Sequence, residues 1–320
     1  MINGMAAFDM SMWQGRVDDA EGALGRRWHQ VMQPLSPITA TATTVLLGFA
    51  CDAGVARNHG RIGAAEGPRA IRRALCNMPV HECTHLADGG DVVCAGDALE
   101  AAQHALAAMV AQQLDAERFP LILGGGHEMA WGSFTGLASH LAKTEGAPRV
   151  GIVNFDAHFD LRRDTRATSG TPFLQIAQDC EARGWEFRYA CLGVSLYSNT
   201  EALFARARDL GVLFQLDESL DAAHFMPSLQ AFVAEVDDVY LTVCLDVLPA
   251  AVAPGVSSPA PRGVGLDVLE PMIEAVCSSG KVRLADIAEM NPRFDADGRT
   301  AAVAARIAAR IANGVARARR

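Results

Sequence analysis

Seven short runs of the chain are apolar and rich in β-branched residues: TTVLLGFA (43–50), FPLILGG (119–125), RVGIVNFD (149–156), FRYACLGV (187–194), VLFQLD (212–217), VYLTVCLDV (239–247) and VRLADIAEM (282–290). Between them the apolar residues recur at helical spacing, as in residues 98–117, 133–146, 200–211 and 266–280, and a further helix is expected over 299–320. Several of these stretches end at glycine, the usual C-terminal cap. Strands that are apolar almost throughout are buried on both faces, and their alternation with helices predicts a parallel sheet covered on both sides. Nothing reads as a linker, an internal repeat or a low-complexity segment. Residues 1–320 are therefore expected to form one domain, with about the first 40 residues and the 299–320 helix at its periphery.

In open parallel sheets, ligands bind outside the carboxyl ends of the strands. Four of the predicted strands end in chemistry there. LILGG is followed by Gly126, His127 and Glu128; IVNF by Asp156, His158 and Asp160; LTV by Cys244 and Asp246; and LADIA by Glu289, Asn291 and Pro292. A purely structural explanation would have to be supplied four times. Alternate residues of a strand share a face about 6.6 Å apart, so Asp156 and His158 can reach one ion or two adjacent ones. Asp156 and Asp160 would stand about 13 Å apart in an extended chain, too far for ligand bonds of about 2.0–2.2 Å to a single ion. Either the chain curls after the strand, or two ions are bound. Thr242, Cys244 and Asp246 also share a face. The candidate ligands His127, Asp156, His158, Asp160, Cys244 and Asp246 are too many for one open catalytic zinc, and suit two ions with bridging carboxylates.

Half of the 320 residues are apolar, which makes the chain globular, and its net charge of -9 argues against nucleic acid or anionic membranes as partners. An anionic substrate would need arginines placed locally. Eight cysteines without a CxxC pair read as reduced, mostly buried thiols. The N-terminus carries acids early, and no apolar run reaches the roughly 18 residues of a membrane span. A cytoplasmic protein is expected. HECTH (81–85) matches the zinc-protease pattern, but that motif needs a helix, and Pro79 before it and LADGG after it leave little room for one. His104 and His140 stand singly in helical stretches and read as surface or satisfied core groups. Gly124 to Gly126 lack the lysine and hydroxyl of a phosphate loop. Arg306, Arg310 and Arg317 read as one solvated or subunit-facing stripe on the last helix.

GGGHE (124–128), NFDAHFD (154–160), CLD (244–246), APGVSSPAP (253–261) and DIAEMNP (286–292) resemble the arginase and agmatinase ureohydrolases, over residues from about 45 to 292. Within that family Glu128, Arg162, SGTPF (169–173), LGVSLYSNT (192–200) and RNHGRIGAAEGP (57–68) resemble the branch that acts on N-formimidoyl-L-glutamate. The resemblance implies a three-layer α/β/α fold with a mostly parallel sheet, two Mn2+ per subunit, and hydrolysis of that amidine to L-glutamate and formamide in histidine degradation. It implies that His127 and Asp160 hold one ion, that His158 and Asp246 hold the other, and that Asp156 bridges them. Cys244 stands where most of the family has a second bridging aspartate. A thiolate there would favour softer metals than manganese. Phe173 stands near the place of the arginases' proton-shuttling histidine, so protons must move another way.

Amidine carbon is a poor electrophile, and two ions about 3.5–4 Å apart lower the pKa of a shared water towards 7. Asp160 is the candidate for taking that water's proton. Glu289 is the candidate acceptor for the amidinium. Arg162, Arg57 and Arg61, with Asn58, are candidates for the substrate's carboxylates, because a planar guanidinium fork fits them. A homo-oligomer with a small-molecule substrate is expected. The alternatives are another amidine or guanidine hydrolase, agmatinase- or guanidinobutyrase-like, for which Arg162 would have no use, and a non-catalytic metal-binding homologue.

Overall fold

The computed structural model describes residues 9–36, 43–143 and 146–320. Among them nine strands form one sheet: β1 (Met32–Pro34), β2 (Thr44–Ala50), β3 (Leu86–Val93), β4 (Phe119–Gly124), β5 (Val150–Phe155), β6 (Arg188–Val194), β7 (Leu213–Leu216), β8 (Asp238–Cys244) and β9 (Val282–Ala288). Every neighbouring pair is parallel, in the order β1-β3-β2-β4-β9-β8-β5-β6-β7. The connections carry the helices α1 (Trp28–Val31), α2 (Ala53–Arg57), α3 (Gly67–Leu75), α4 (Leu99–Asp115), α5 (Met129–Leu141), α6 (Pro172–Arg183), α7 (Glu201–Asp209), α8 (Ala222–Ala234), α9 (Leu266–Ser278) and α10 (Arg299–Ala318).

Each strand of the sheet centre feeds both faces. Val239, Leu241 and Val243 of β8 join a core with Ile71 of α3, Leu229 of α8, Ile273 of α9 and Ile307 of α10. Tyr240 points the other way, into a core with Val110 of α4, Phe134 of α5, Phe173 of α6 and Phe204 of α7. Two apolar layers against one sheet make a three-layer α/β/α fold, as the continuous apolar strands predict.

All seven predicted strands are present, with ends shifted by a few residues at most. The helix expected over 133–146 instead begins at Met129 and ends at Leu141, and residues 144 and 145 lie outside the described residues. Strand β3 is unforeseen because its sequence, LADGGDVV, carries a buried acid and two glycines. Asp88 is fully buried and takes two hydrogen bonds from the equally buried Arg72 (2.7 and 2.9 Å) and one from the Trp13 indole (3.0 Å). A buried carboxylate is tolerated when it is paired and hydrogen-bonded in this way. HECTH is irregular chain leading into β3, so its histidines lack the helix a zinc protease needs.

The described residues 9–36 are mostly exposed, as expected for the periphery, but they are anchored by buried tryptophans, and the last helix is a core element. Trp13 and Trp28 are buried in the core, and α10 sinks Ala304, Ile307, Ala308 and Ile311 into it. Helix α10 is one of the covering helices because its alanine- and isoleucine-rich face fits closely on the sheet side. Its arginines pair with the neighbouring helix: Arg306 (2.5 and 2.9 Å) and Arg310 (2.8 Å) with Glu270, and Arg317 with Glu274 (2.6 Å). The eight cysteines are free thiols, seven of them buried. No helix of the described residues is long and apolar enough to cross a membrane.

Candidate metal centre

The four strands that end in polar chemistry, β4, β9, β8 and β5, are consecutive neighbours at the middle of the sheet. Their ends are level: Leu123 pairs with Ile287, Cys244 with Ala288, and Phe155 with Val243. The side chains that follow therefore meet above one edge. The glycines before His127 have a steric reason, since a Cβ on Gly125 would stand 2.1 Å from the Cys51 carbonyl oxygen and 2.5 Å from that of Phe49. Only a bare backbone passes there.

After β5 the chain curls. Asp160 adopts a left-handed conformation (φ 48°), and its Oδ2 comes 3.1 Å from His127 Nδ1. Asp156 Oδ2 lies 2.9 Å from that same nitrogen. The 13 Å separation of an extended chain is thus abolished by a turn at Asp160. On the other side His158 Nδ1 lies 3.0 Å from Asp246 Oδ2 and 3.6 Å from Asp156 Oδ1. Asp156 stands between the two histidines, one oxygen towards each. Two overlapping sets have all their donor atoms within 4.8 Å of one another: His127, Asp156 and Cys244, and Asp156, His158 and Asp246.

His127 Nδ1 is buried without a hydrogen bond among the described residues, although two carboxylate oxygens lie close to it. The Asp156 oxygen at 2.9 Å and the Asp160 oxygen at 3.1 Å leave that nitrogen crowded by two acceptors. On the far side of the ring, Nε2 is 3.0 Å from Thr242 Oγ1. Donation from Nε2 to that hydroxyl leaves the Nδ1 lone pair aimed into the cluster, the tautomer a metal requires. Burial opposes a charged imidazole at His127, yet the close carboxylates of Asp156 and Asp160 outweigh it and hold its pKa well above the ordinary histidine value. A cation suits the place where that proton sits. Nitrogen and oxygen donors around such a point fit a divalent ion of the manganese-to-zinc series.

Cys244 is 1% exposed, with its sulfur in the first of the two sets. Burial, with Asp156, Asp246 and Glu289 nearby, pushes its thiol pKa far up. Phe173 is buried, edge-on to the His127 ring (5.3 Å) and stacked on Tyr189 (4.6 Å), so it walls the centre and offers no proton. Glu289 has a left-handed backbone (φ 72°), and its carboxylate is held by the His127 amide (3.1 Å) and the Ser257 amide (3.3 Å). Burial, then the charges of Glu128 and Asp246, raise its pKa to about 8. Burial and Asp156 raise that of Asp160 to about 6.

A cavity of about 300 Å³ opens onto the cluster and is also lined by Asn58, Arg61, Arg162, Ser169 and Glu289. The candidate arginines separate here. Arg162 is exposed, and its guanidinium has no hydrogen-bond or ion-pair partner among the described residues. Arg57 does not line the cavity. It is committed to Asp97 (2.7 Å), Glu100 (2.7 Å) and the Ala167 carbonyl (2.9 Å), which corrects its assignment to the substrate. Arg61 reaches the cavity wall, but its guanidinium binds the carbonyls of Ser257 (3.2 Å), Pro254 (3.1 Å) and Val256 and lies over the Phe294 ring. It clamps the 254–257 loop instead of offering a free fork. Asn58 donates to Ser169 Oγ at the rim (3.1 Å). Ser257 is not among the residues the sequence pattern points to, and Thr242 is placed there only by the face it shares with Cys244.

Parallel α/β architecture with imidazole and carboxylate donors gathered at the central strand ends defines the class, and the chain belongs to the arginase family, whose model matches residues 42–313. Among individual proteins it is similar to the formimidoylglutamase of Ralstonia nicotianae, 59% identical over 96% of each chain. It is also similar to that of Aeromonas hydrophila, 54% identical over 93% of this chain and 96% of the relative. Among solved structures it resembles a formiminoglutamase variant of Trypanosoma cruzi with Mn2+ (TM-score 0.77, 26% identity, 87% of this chain and 94% of that one). The fold of the Bacillus subtilis formimidoylglutamase is likewise shared (TM-score 0.76, 22% identity, 89% and 90% covered).

Proposed function

We propose that this chain hydrolyses N-formimidoyl-L-glutamate to L-glutamate and formamide, as one domain of a cytoplasmic homo-oligomer carrying two Mn2+ per subunit. The observation that carries the reading is an unpaired guanidinium, Arg162, on the wall of the cavity that holds the histidine and carboxylate cluster. An amidine hydrolase for substrates without a carboxylate has no use for it. His127 and Asp160 would hold one ion and His158 and Asp246 the other, with Asp156 between them and Cys244 beside it.

When bound, such ions supply Lewis-acid polarisation and make water acidic enough to be a nucleophile near neutral pH. The protein does the rest. Arg162 forks onto a substrate carboxylate, with Asn58 and Ser169 beside it, and fixes the amidine over the cluster. Glu289, aimed by the His127 and Ser257 amides, takes the amidinium N–H, whose positive charge favours its ionised, acceptor-only form over the raised pKa. Asp160 receives the proton of the attacking water on its free oxygen and returns it to the glutamate nitrogen, so that the C–N bond breaks with an amine leaving.

Manganese-loaded protein given N-formimidoyl-L-glutamate, agmatine and 4-guanidinobutyrate in parallel tests this. Formamide and glutamate should appear from the first and no product from the others. Urea from agmatine or 4-guanidinobutyrate at a comparable kcat/KM would overturn the substrate assignment. Inactivity on all three, with metal bound, would favour a non-catalytic homologue.

A further inference from the structure

The curl from Asp156 to Leu161 leaves the sheet, so its backbone groups need partners elsewhere. They find them on the segment from β6 to α7 and its surroundings. Asp156 N donates to the Leu192 carbonyl (3.0 Å), and Ala157 O accepts from Ser195 N (2.9 Å). His158 O accepts from Cys191 Sγ (3.2 Å), Phe159 O from the Tyr189 hydroxyl (3.1 Å), and Asp160 O from Phe173 N (3.2 Å). One side chain serves the curl twice. Asn199 Oδ1 accepts the Phe159 N–H (3.1 Å), while its Nδ2 donates to the carbonyls of Ala157 (2.9 Å) and Ser195 (2.9 Å).

Those two attachment points are the links between ligands. Ala157 joins Asp156 to His158, and Phe159 joins His158 to Asp160. Asn199 is 8% exposed, so its hydrogen bonds are shielded from competing water. It lies outside the cavity and touches no candidate substrate group. A left-handed non-glycine backbone such as that of Asp160 persists only where its surroundings over-determine it. A planar amide with an acceptor and two donors is suited to hold such a turn from both sides.

We infer that Asn199 is a positioning residue: its amide holds the curl in the shape that turns Asp156, His158 and Asp160 onto one centre, and so sets the affinity for divalent cations. This rests on the reading of those three residues as ligands. Asn199→Asp keeps the acceptor for Phe159 and loses both donations, whereas Asn199→Ala loses all three bonds. Manganese binding to the metal-free proteins, read by calorimetry with metal analysis, should weaken about 10- to 100-fold in both variants. Hydrogen exchange in metal-free Asn199→Ala should lose protection in the 156–161 peptide alone, with the melting temperature close to the parent's. Tyr197→Ala, at an exposed neighbour (91%), should change neither.

An affinity within twofold of the parent in both variants would overturn the inference. So would protection lost across the whole protein with a matching fall in melting temperature, which marks a merely structural role. If the parent itself takes up no manganese, the metal reading falls, and the exchange experiment alone judges the clamp. Protection lost only at 156–161 then supports it, and unchanged protection overturns it.

Discussion

Cys244→Asp probes the centre most directly, because the two readings of Cys244 predict opposite responses to metal. The sulfur lies within 4.8 Å of a His127 nitrogen and an Asp156 oxygen, and the side chain is 1% exposed. A carboxylate placed there in metal-free protein meets the charges of Asp156, Asp246 and Glu289 that already push the thiol pKa up. An uncompensated buried charge costs about 3–5 kcal/mol. At about 2.1 cal/mol/K of unfolding entropy per residue, a chain of 320 residues shifts by about 1.5 °C per kcal/mol, so the metal-free melting temperature should fall by about 5–8 °C. Adding manganese reverses the sign of the local field. At a free concentration 100 times Kd an ion returns about 2.7 kcal/mol, and a hard oxygen donor lowers Kd further. Thermal denaturation with and without manganese should therefore show the deficit closing in the variant, with a larger metal-induced rise than in the parent. A deficit that persists undiminished at saturating manganese would show Cys244 to be packing alone and refute the ligand reading.

Asp156→Ala should abolish activity and lower the bound metal by both ions, whereas Asp246→Ala should lose one preferentially; unchanged stoichiometry by mass spectrometry in the first variant would defeat the two-ion assignment. Arg162→Ala should raise KM about 10- to 100-fold, since a charge-assisted hydrogen bond is worth about 1.5–3 kcal/mol, while Arg57→Ala should leave KM unchanged and lower only the melting temperature. Equal KM effects from the two would refute the distinction drawn from their partners. Glu270 is held below the usual glutamate pKa, chiefly by its hydrogen bond to Arg306. Its stabilisation is therefore present above the unfolded pKa of about 4.3 and is lost as pH falls through the lower folded value. Glu270→Gln should cost about 1 kcal/mol at pH 7, a figure discounted for the exposed Arg306, and the gap should close under acid denaturation below about pH 4. A gap that persisted there would put the cost in packing instead of the ion pair.

Much of the fold was legible because strands buried on both faces cannot hide: β4, β5 and β8 are apolar at nearly every position, and all their residues are buried. What escaped was built on exceptions. Strand β3 carries Asp88 in its interior, and that acid is tolerable because Arg72 and Trp13, 16 and 75 residues away, and the nearby Gly90 amide donate to it. Helix α8 contains Pro227, which blurs its helical pattern. Helix α10 was seen as a helix but not as a core element. Its arginines mark a polar stripe in the sequence, while the small size of its alanines is what lets the opposite face lie close.

The ligands and the arginines were unequally legible for a single physical reason. Ligands stand at strand ends, where a period of two residues and the parallel order fix both direction and level before any coordinate is known. Arginines act from loops, and a loop's chemistry depends on whatever its path brings near. Arg57, Arg61 and Arg162 are equivalent as letters. Arg57 is spent on Glu100, 43 residues on, and Arg61 on carbonyls nearly 200 residues on. Arg162 alone reaches the cavity with its fork unpaired. In a chain of net charge -9 a free guanidinium beside a cluster of carboxylates would ordinarily be drawn into pairing with them. Arg162 follows Asp160 by two residues, yet the turn at Asp160 sends the carboxylate to His127 and leaves the guanidinium on the wall. The same curl that gathers the candidate ligands thus leaves the guanidinium unpaired at the cavity, where the proposed function places a substrate carboxylate. Geometry around one left-handed residue separates the cluster of candidate metal ligands from the arginine proposed for the substrate.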